Sequence, residues 1–264
     1  MRILVTNDDG IYSPGLAALA RAASKFGEVS IVAPNVEQSS MGHAITSSRP
    51  LSWRRTVIAD FDAKRVNGTP ADCVALGTSE WKNVDVVLSG INIGPNLGNA
   101  MWHSGTLAGA KQATLLGIRG IALSSAVVSE EPTFELLEPW IERVLELLLI
   151  RETALPLVNV NFPREPKALT WTRQAVRHYD GYVVPGQDPM GRKNFWFMVR
   201  PIEQVEEGTD IWAVQHSLVS MTPLRLDLTD QSKLAEARER HPFEQAAAVA
   251  QRAPGPEVPE QGER

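Results

Sequence analysis

The amino-acid sequence predicts an α/β fold built on an open, mostly parallel sheet. Three observations carry that expectation. Short apolar, β-branched runs alternate with helix-like segments from Arg2 to about Pro163, and strands separated by helices pair in parallel. Polar, glycine-bearing stretches follow directly after several of those runs, where open parallel sheets bind ligands. Beyond Pro163 the composition turns to aromatics, Thr, Val and turn residues, as in β-hairpins.

The elements follow in order. Arg2 to Thr6 is a strand, and Ser13-Pro14 then supplies an N-cap and a proline at the first helical position. "PGLAALARAASKFG" is the helix, predicted to run to Gly27, and "EVSIVAP" (Glu28 to Pro34) is a second buried strand that completes a β-α-β unit. "DVVLSGIN" (Asp85 to Asn92) and "GIALSS" (Gly120 to Ser125) are further strands, with "GTLAGAKQATLLG" as the helix between them. "FELLEPWIERVLELLLI" is a long amphipathic helix interrupted by Pro139, and "LPLVNVNFP" is a fifth strand. Ala168 to Pro201 reads as hairpin material, and "SLVSMTPLRLDLTD" as one or two strands before a short charged helix. The expected organisation is a core at 1–165, an extension at 166–238 and a flexible tail at 239–264, where Pro, Glu, Gln and Ala leave little to bury. No internal repeat is present.

With 264 residues, 43% of them hydrophobic, the chain can bury a large core. A net charge of -5 and a pI near 5.6 argue against a protein that coats duplex nucleic acid, while leaving open a small anionic substrate at a local site. Met1 and Arg2 lead straight into a strand, with no signal-peptide pattern and no apolar stretch long enough to span a bilayer. Cys73 is the only cysteine, which excludes an intramolecular disulfide and a thiolate-rich zinc site; within "ADCVALG" it reads as a small buried hydrophobe. A cytoplasmic protein with no membrane partner is expected.

Three loops carry the chemistry: "NDDG", "NVEQSSMGHAITS" and "SGINIGPNLGNAMWHSGT". The first is good turn chemistry on its own. Its adjacent carboxylates, Asp8 and Asp9, also suit a cation, and the other loops add hydroxyls at Ser39 and Ser40 and amide oxygens at Asn92, Asn96 and Asn99. These are hard donors, matched to Mg²⁺, Mn²⁺ or Ca²⁺. The third loop fits an anion as well, since Gly90, Gly94, Gly98 and Gly105 allow close backbone approach and Ser104-Gly105-Thr106 opens a helix. An ordinary capped helix explains the hydroxyls of Ser104 and Thr106 but not the upstream glycines and asparagines. His103, beside that helix start, is a candidate acid–base or phosphate-donor group, whereas His43 reads as a loop histidine. Arg173, Arg177, Arg192 and Lys193 are either a solvated face or positioners of a polyanionic substrate. No G-x-G-x-x-G or G-K-[ST] pattern follows a strand, which argues against a dehydrogenase and a P-loop NTPase.

At these loops the chain resembles the SurE (survival protein E) family, metal-dependent 5'/3'-nucleotidases acting on nucleoside monophosphates. The resemblance runs from Met1 to about Leu228 through "MRILVTNDDGIYSPG", "VAPNVEQS", "NGTPADCV", "VLSGINIGPNLG", "SGTLAGA" and "VSMTPLRLDL". It implies a Rossmann-like, doubly wound core with a C-terminal extension that builds homodimers or homotetramers. It implies one divalent cation per subunit, Mg²⁺ or Mn²⁺, held by Asp8, Asp9, Ser39 and Asn92, with Ser40 adjacent in register. Asn96, Ser104, Gly105 and Thr106, with His103 beside them, would face the phosphate. Catalysis would fall to Asp8 and Asp9, Asp8 orienting or deprotonating a metal-activated water. "SGTLAGA" departs from the family's usual valine and alanine, and the tail beyond about Arg240 has no counterpart. Two other classes share the same loops: a nucleotide-sugar transferase, for which no sugar pocket is marked, and a non-catalytic metal or nucleotide sensor. The stretch Trp171 to Arg200, with Trp171, Tyr179, Tyr182, Phe195, Trp196 and Phe197, is expected to make subunit contacts.

Overall fold

The computed structural model describes residues 1–126, 134–176, 181–199 and 205–241. Contacts divide the chain into two units, Met1–Leu226 and Asp227–Arg264.

The first unit is built on a nine-stranded sheet in the order β3-β4-β2-β1-β5-β6-β7-β11-β8. Its centre is the predicted parallel set: β1 (Arg2–Thr6), β2 (Glu28–Pro34), β5 (Val86–Ile93), β6 (Arg119–Ser125) and β7 (Leu157–Phe162). β1 pairs in parallel with β2 on one side and β5 on the other, and β5, β6 and β7 continue in parallel. Alternation along β1 feeds two separate cores. Ile3 and Val5 join the apolar cluster with Leu16, Leu19, Ile141 and Val144, while Leu4 points the other way to Val32, Cys73 and Val74. Helices α1 (Pro14–Ala23) and α4 (Glu138–Glu146) therefore cover one face, and α2 (Pro70–Glu80) and α3 (Gly105–Leu115) the other. The sheet is α/β and doubly wound, as the sequence predicts. Among the described residues no helix is long and apolar enough to cross a membrane.

Several elements differ from expectation. β3 (Trp53–Ile58) and β4 (Phe61–Val66) form an antiparallel edge pair, with β4 parallel to β2, and α2 follows them. None of the three was anticipated, although Thr69, Pro70 and Asp72 write a helix start: Thr69 accepts from Asp72 N while the Asp72 carboxylate accepts from Thr69 N. α1 ends at Ala23 rather than Gly27, because the chain turns through Ser24–Phe26 before β2. Pro139 does not interrupt a helix; it lies in the first turn of α4, where its missing N–H costs nothing, and the helix closes in a wide π turn at Leu147–Arg151.

Beyond residue 165, β8 (Ala168–Trp171) and β11 (Leu218–Pro223) extend the main sheet, β11 antiparallel to β7 and parallel to β8. The short helix α5 (Asp210–Gln215) packs on β11. β9 (Gly181–Gln187) and β10 (Lys193–Val199) form a separate antiparallel hairpin, and "SLVSMTPLRLDLTD" contains one strand, not two. The second unit contains α6 (Gln231–Arg240), capped by Asp230 and without a buried residue. Arg177, Tyr179 and the tail from 242 onward lie outside the described residues.

Candidate active site

The chain leaves β1 toward β2, returns, and places β5 on the opposite flank of β1. Strand order therefore reverses between β1 and β5, and a crevice opens at their carboxyl ends. The "NDDG" loop leaves the end of β1, and "SGIN" forms the carboxyl end of β5 itself, from which the rest of the third stretch departs, so the first and third chemistry-bearing stretches meet where the topology opens a ligand site.

The first loop is a tight turn. Asn7 Nδ2 donates to Gly10 O at 2.9 Å, and Gly10 adopts φ +96°, a conformation that disfavours side chains. The second loop is tied to it by Gln38 N donating to Asp8 O at 2.7 Å. That loop is then clipped to the α3 side, with Gly42 N donating to His103 O and His43 Nε2 lying 2.9 Å from Gln112 Oε1. His43 thus has a structural contact.

Asp8 sits against the start of α3. The Thr106 hydroxyl donates to Asp8 Oδ1 at 2.6 Å, and a Cβ on Gly105 would fall 2.8 Å from both Cβ and Oδ2 of Asp8. Only glycine permits this approach. Burial pushes the Asp8 carboxyl up, opposed by hydrogen bonds that include the side chain and backbone of Thr106. Burial, and next the Asp8 charge, push Asp9 up to about 7, while Ile93 N supports its carboxylate at 3.2 Å. The Glu37 charge raises both groups further. Ser104 caps α3, its Oγ accepting from Leu107 N at 3.0 Å.

Asp8, Ser39, Ser40, Asn92, Asn96, His103 and Ser104 line one cavity of about 690 Å³. Asp9 faces an adjoining recess of about 460 Å³ that shares Ser39 and Ile93 with the first. Gly105 and Thr106 support Asp8 from beneath, and Thr106 is fully buried. All nine residues singled out for metal, catalysis or phosphate therefore gather at the switch point.

Four further residues at this place were not anticipated. Asn159 and Asn161, on β7, grip the backbone of Asn96: Asn161 Oδ1 accepts from Asn96 N at 2.8 Å, and both side-chain amides donate to Asn96 O. Asp210, at the start of α5, accepts from Gly98 N at 2.8 Å and Ala175 N at 3.0 Å. Glu37 accepts from the Ser39 hydroxyl at 2.6 Å. The asparagines left a readable signal, two amides spaced by two in an apolar strand, which puts both on one face and demands partners.

The donor set fits a hard divalent cation. Two adjacent carboxylates, Asp8 buried and Asp9 half-buried, have no basic partner among the described residues, an arrangement that a dication stabilises. Asn92 Nδ2 donates to Gly94 O at 2.6 Å, leaving its amide oxygen as the free end, and the Ser39 oxygen keeps its lone pairs while donating to Glu37. Among the described residues no group of three or more His, Cys, Asp or Glu gathers for a metal. A cation here would rely on Asp8 and Asp9 completed by hydroxyl and amide oxygens, a donor set that suits a hard ion better than a softer one.

Comparison with known proteins gives one family. The family model described as Survival protein SurE matches residues 3–181. A "5'-nucleotidase SurE 1" of Thermus thermophilus is 46% identical over 236 residues, covering 87% of this chain and 93% of that protein. A "5'-nucleotidase SurE" of Deinococcus radiodurans is 42% identical over 253 residues, covering 91% and 93% respectively. Among solved structures, the SurE protein of Aquifex aeolicus superposes with a TM-score of 0.77 at 39% identity, covering 91% of this chain and 99% of that one.

Proposed function

The chain belongs to the SurE family, and from that membership we propose that it is a metal-dependent nucleotidase, hydrolysing nucleoside 5'- and 3'-monophosphates to nucleoside and phosphate. The observation that carries the reading is the meeting of Asp8 and Asp9 with the N-terminus of α3 at the switch point of the sheet.

Asp8, Asp9, Ser39 and Asn92 are the residues that would hold the cation, one per subunit. When bound, Mg²⁺ or Mn²⁺ supplies Lewis-acid activation of water and neutralises phosphoryl charge. Asp8, fixed by Thr106 and unable to swing across Gly105, orients the attacking water and draws off its proton. The Ser104 oxygen already accepts from Leu107 N, so its hydroxyl hydrogen is available to a phosphoryl oxygen near the positive end of α3. Asn96, held in place by Asn159 and Asn161, and His103 on the cavity wall complete the phosphate site. Thr106 serves the phosphate indirectly, through Asp8.

The extension at 166–238 makes the subunit contacts of a homodimer or homotetramer. Its support is the hairpin's exposed apolar surface, with Phe195, Trp196 and Phe197 each more than 60% exposed. A cytoplasmic location suits the single buried cysteine. The test is phosphate release from AMP, GMP and p-nitrophenyl phosphate with Mn²⁺, with and without EDTA. Metal-dependent release is the expected result; nucleotide binding without release, or transfer to a sugar acceptor in place of water, would overturn the reading.

A further inference from the structure

A second polar recess opens at the same end of the sheet. Asn35, Ser52, Arg54, Arg65 and Asn67, with Trp53, line a space of about 220 Å³. Asn35 and Asn67 directly follow the carboxyl ends of β2 and β4, the ligand-binding edge of a parallel sheet. Asn35 also lines the recess that Asp9 faces, so the two spaces adjoin.

Its two arginines are placed at a cost. Arg54 and Arg65 are direct partners across the antiparallel pair β3–β4, so both side chains leave the same face of the sheet. Like charges opposed in this way destabilise a strand pair. Lys64, next to Arg65 on β4, is by contrast compensated by pairing with Glu80. Among the described residues neither the Arg54 nor the Arg65 side chain has a hydrogen bond or an ion pair, and no acidic side chain lines the recess. The rest of the lining also offers donors. Asn67 Oδ1 is engaged by Ser52 N at 2.7 Å, leaving its amide nitrogen as the free end.

We propose that this recess is an oxyanion site, binding a phosphate group between the Arg54 and Arg65 guanidiniums. Planar guanidinium forks match tetrahedral phosphate oxygens in paired hydrogen bonds, and a bound dianion offsets the cross-strand repulsion. The phosphate has two possible sources, free inorganic phosphate or a second phosphoryl group on a nucleotide. The second source rests on the nucleotidase reading; the site itself does not.

The experiment uses the full-length, Mn²⁺-loaded protein and the double variant Arg54→Gln/Arg65→Gln, titrated calorimetrically with inorganic phosphate. Wild type should bind one more phosphate per subunit than the variant. AMP hydrolysis by the variant should stay within about twofold, which reads the catalytic centre separately and shows that the variant is folded. A rise of about tenfold in KM for adenosine 3',5'-bisphosphate, on the scale of one charge-assisted hydrogen bond, assigns the site to a second phosphoryl group; an unchanged KM with one phosphate lost assigns it to the free ion. Arg54→Lys/Arg65→Lys, which keeps the charge without the forks, should bind phosphate more weakly than wild type but better than the glutamine pair. Equal phosphate stoichiometry and affinity in wild type and the glutamine variant would sink the proposal.

Discussion

Asp9 and Thr106 illustrate how single residues set the chemistry. In the unfolded chain Asp9 ionises near its ordinary 3.8, whereas burial and then the Asp8 charge push it up to about 7 in the fold. Between those values the folded state binds the extra proton, so Asp9 lowers the stability of the metal-free protein as pH rises from 3.8 to about 7. Asp8 acts in the same direction. Added Mn²⁺ should therefore raise Tm more at pH 8 than at pH 5, and metal-free Asp9→Asn should lose less stability across that window than wild type; a Tm response to Mn²⁺ that ignores pH would refute the assignment. Metal and positioning roles then separate by titration. Asn92→Ala removes an oxygen donor, so the Mn²⁺ midpoint should move by about tenfold or more, with rate partly restored by excess metal. Thr106→Val deletes a hydrogen bond to a charged carboxylate, about 1.5–3 kcal/mol, so kcat should fall about 10- to 100-fold with little rescue by metal. Thr106→Ser should recover most of that loss.

At the scale of elements, the parallel core was legible because each strand is an apolar run bounded by helix-start chemistry, as Ser13-Pro14 shows after β1. The edge pair β3–β4 was not. Trp53–Ile58 carries two arginines and Phe61–Val66 carries Asp, Lys and Arg, so neither segment shows the buried apolar run of the central strands. An edge pair buries less of itself, and its pattern fades accordingly. Helix α5 was missed for another reason: six residues give too little periodicity, although Thr209 caps it. Its importance lies in Asp210, whose carboxylate ties the Gly98 loop to the extension through Gly98 N and Ala175 N. Asp210→Ala leaves those two buried donors unmatched, at about 1–3 kcal/mol each. Urea unfolding should show a loss of about 2–6 kcal/mol, and KM should rise because Asn96 is carried by the same loop. Unaltered stability would mean the loop is held elsewhere.

For the molecule as a whole, the three loops could be read as one site only through topology, since residues near 8, 39, 92 and 104 are distant in sequence. The switch point supplies what composition and periodicity leave open. The supporting shell stayed hidden because Asn159, Asn161 and Asp210 act on the backbone of another loop, and no local pattern names that partner. The hairpin makes its own prediction at this scale. Trp196→Lys together with Phe195→Glu places charge on its exposed surface, and sedimentation should show dissociation toward smaller species while the single-subunit fold is kept. Unchanged mass would move the subunit contact to another surface.

The placement of β1 between β2 and β5 also has a consequence in time. Its pairing with β2 joins neighbours along the chain, whereas Ile3 reaches Val86 only across a long intervening segment. Local pairings form early and distant ones late. The half of the crevice made by the first two loops is therefore expected to form before the half contributed by Asn92, and a cation held by Asp8, Asp9, Ser39 and Asn92 would find its full set of oxygens only when the last of these closures is complete. In refolding from urea, the far-ultraviolet signal of helices should return ahead of Mn²⁺ binding. The ion would then act as a clock for the final step of assembly rather than as its nucleus.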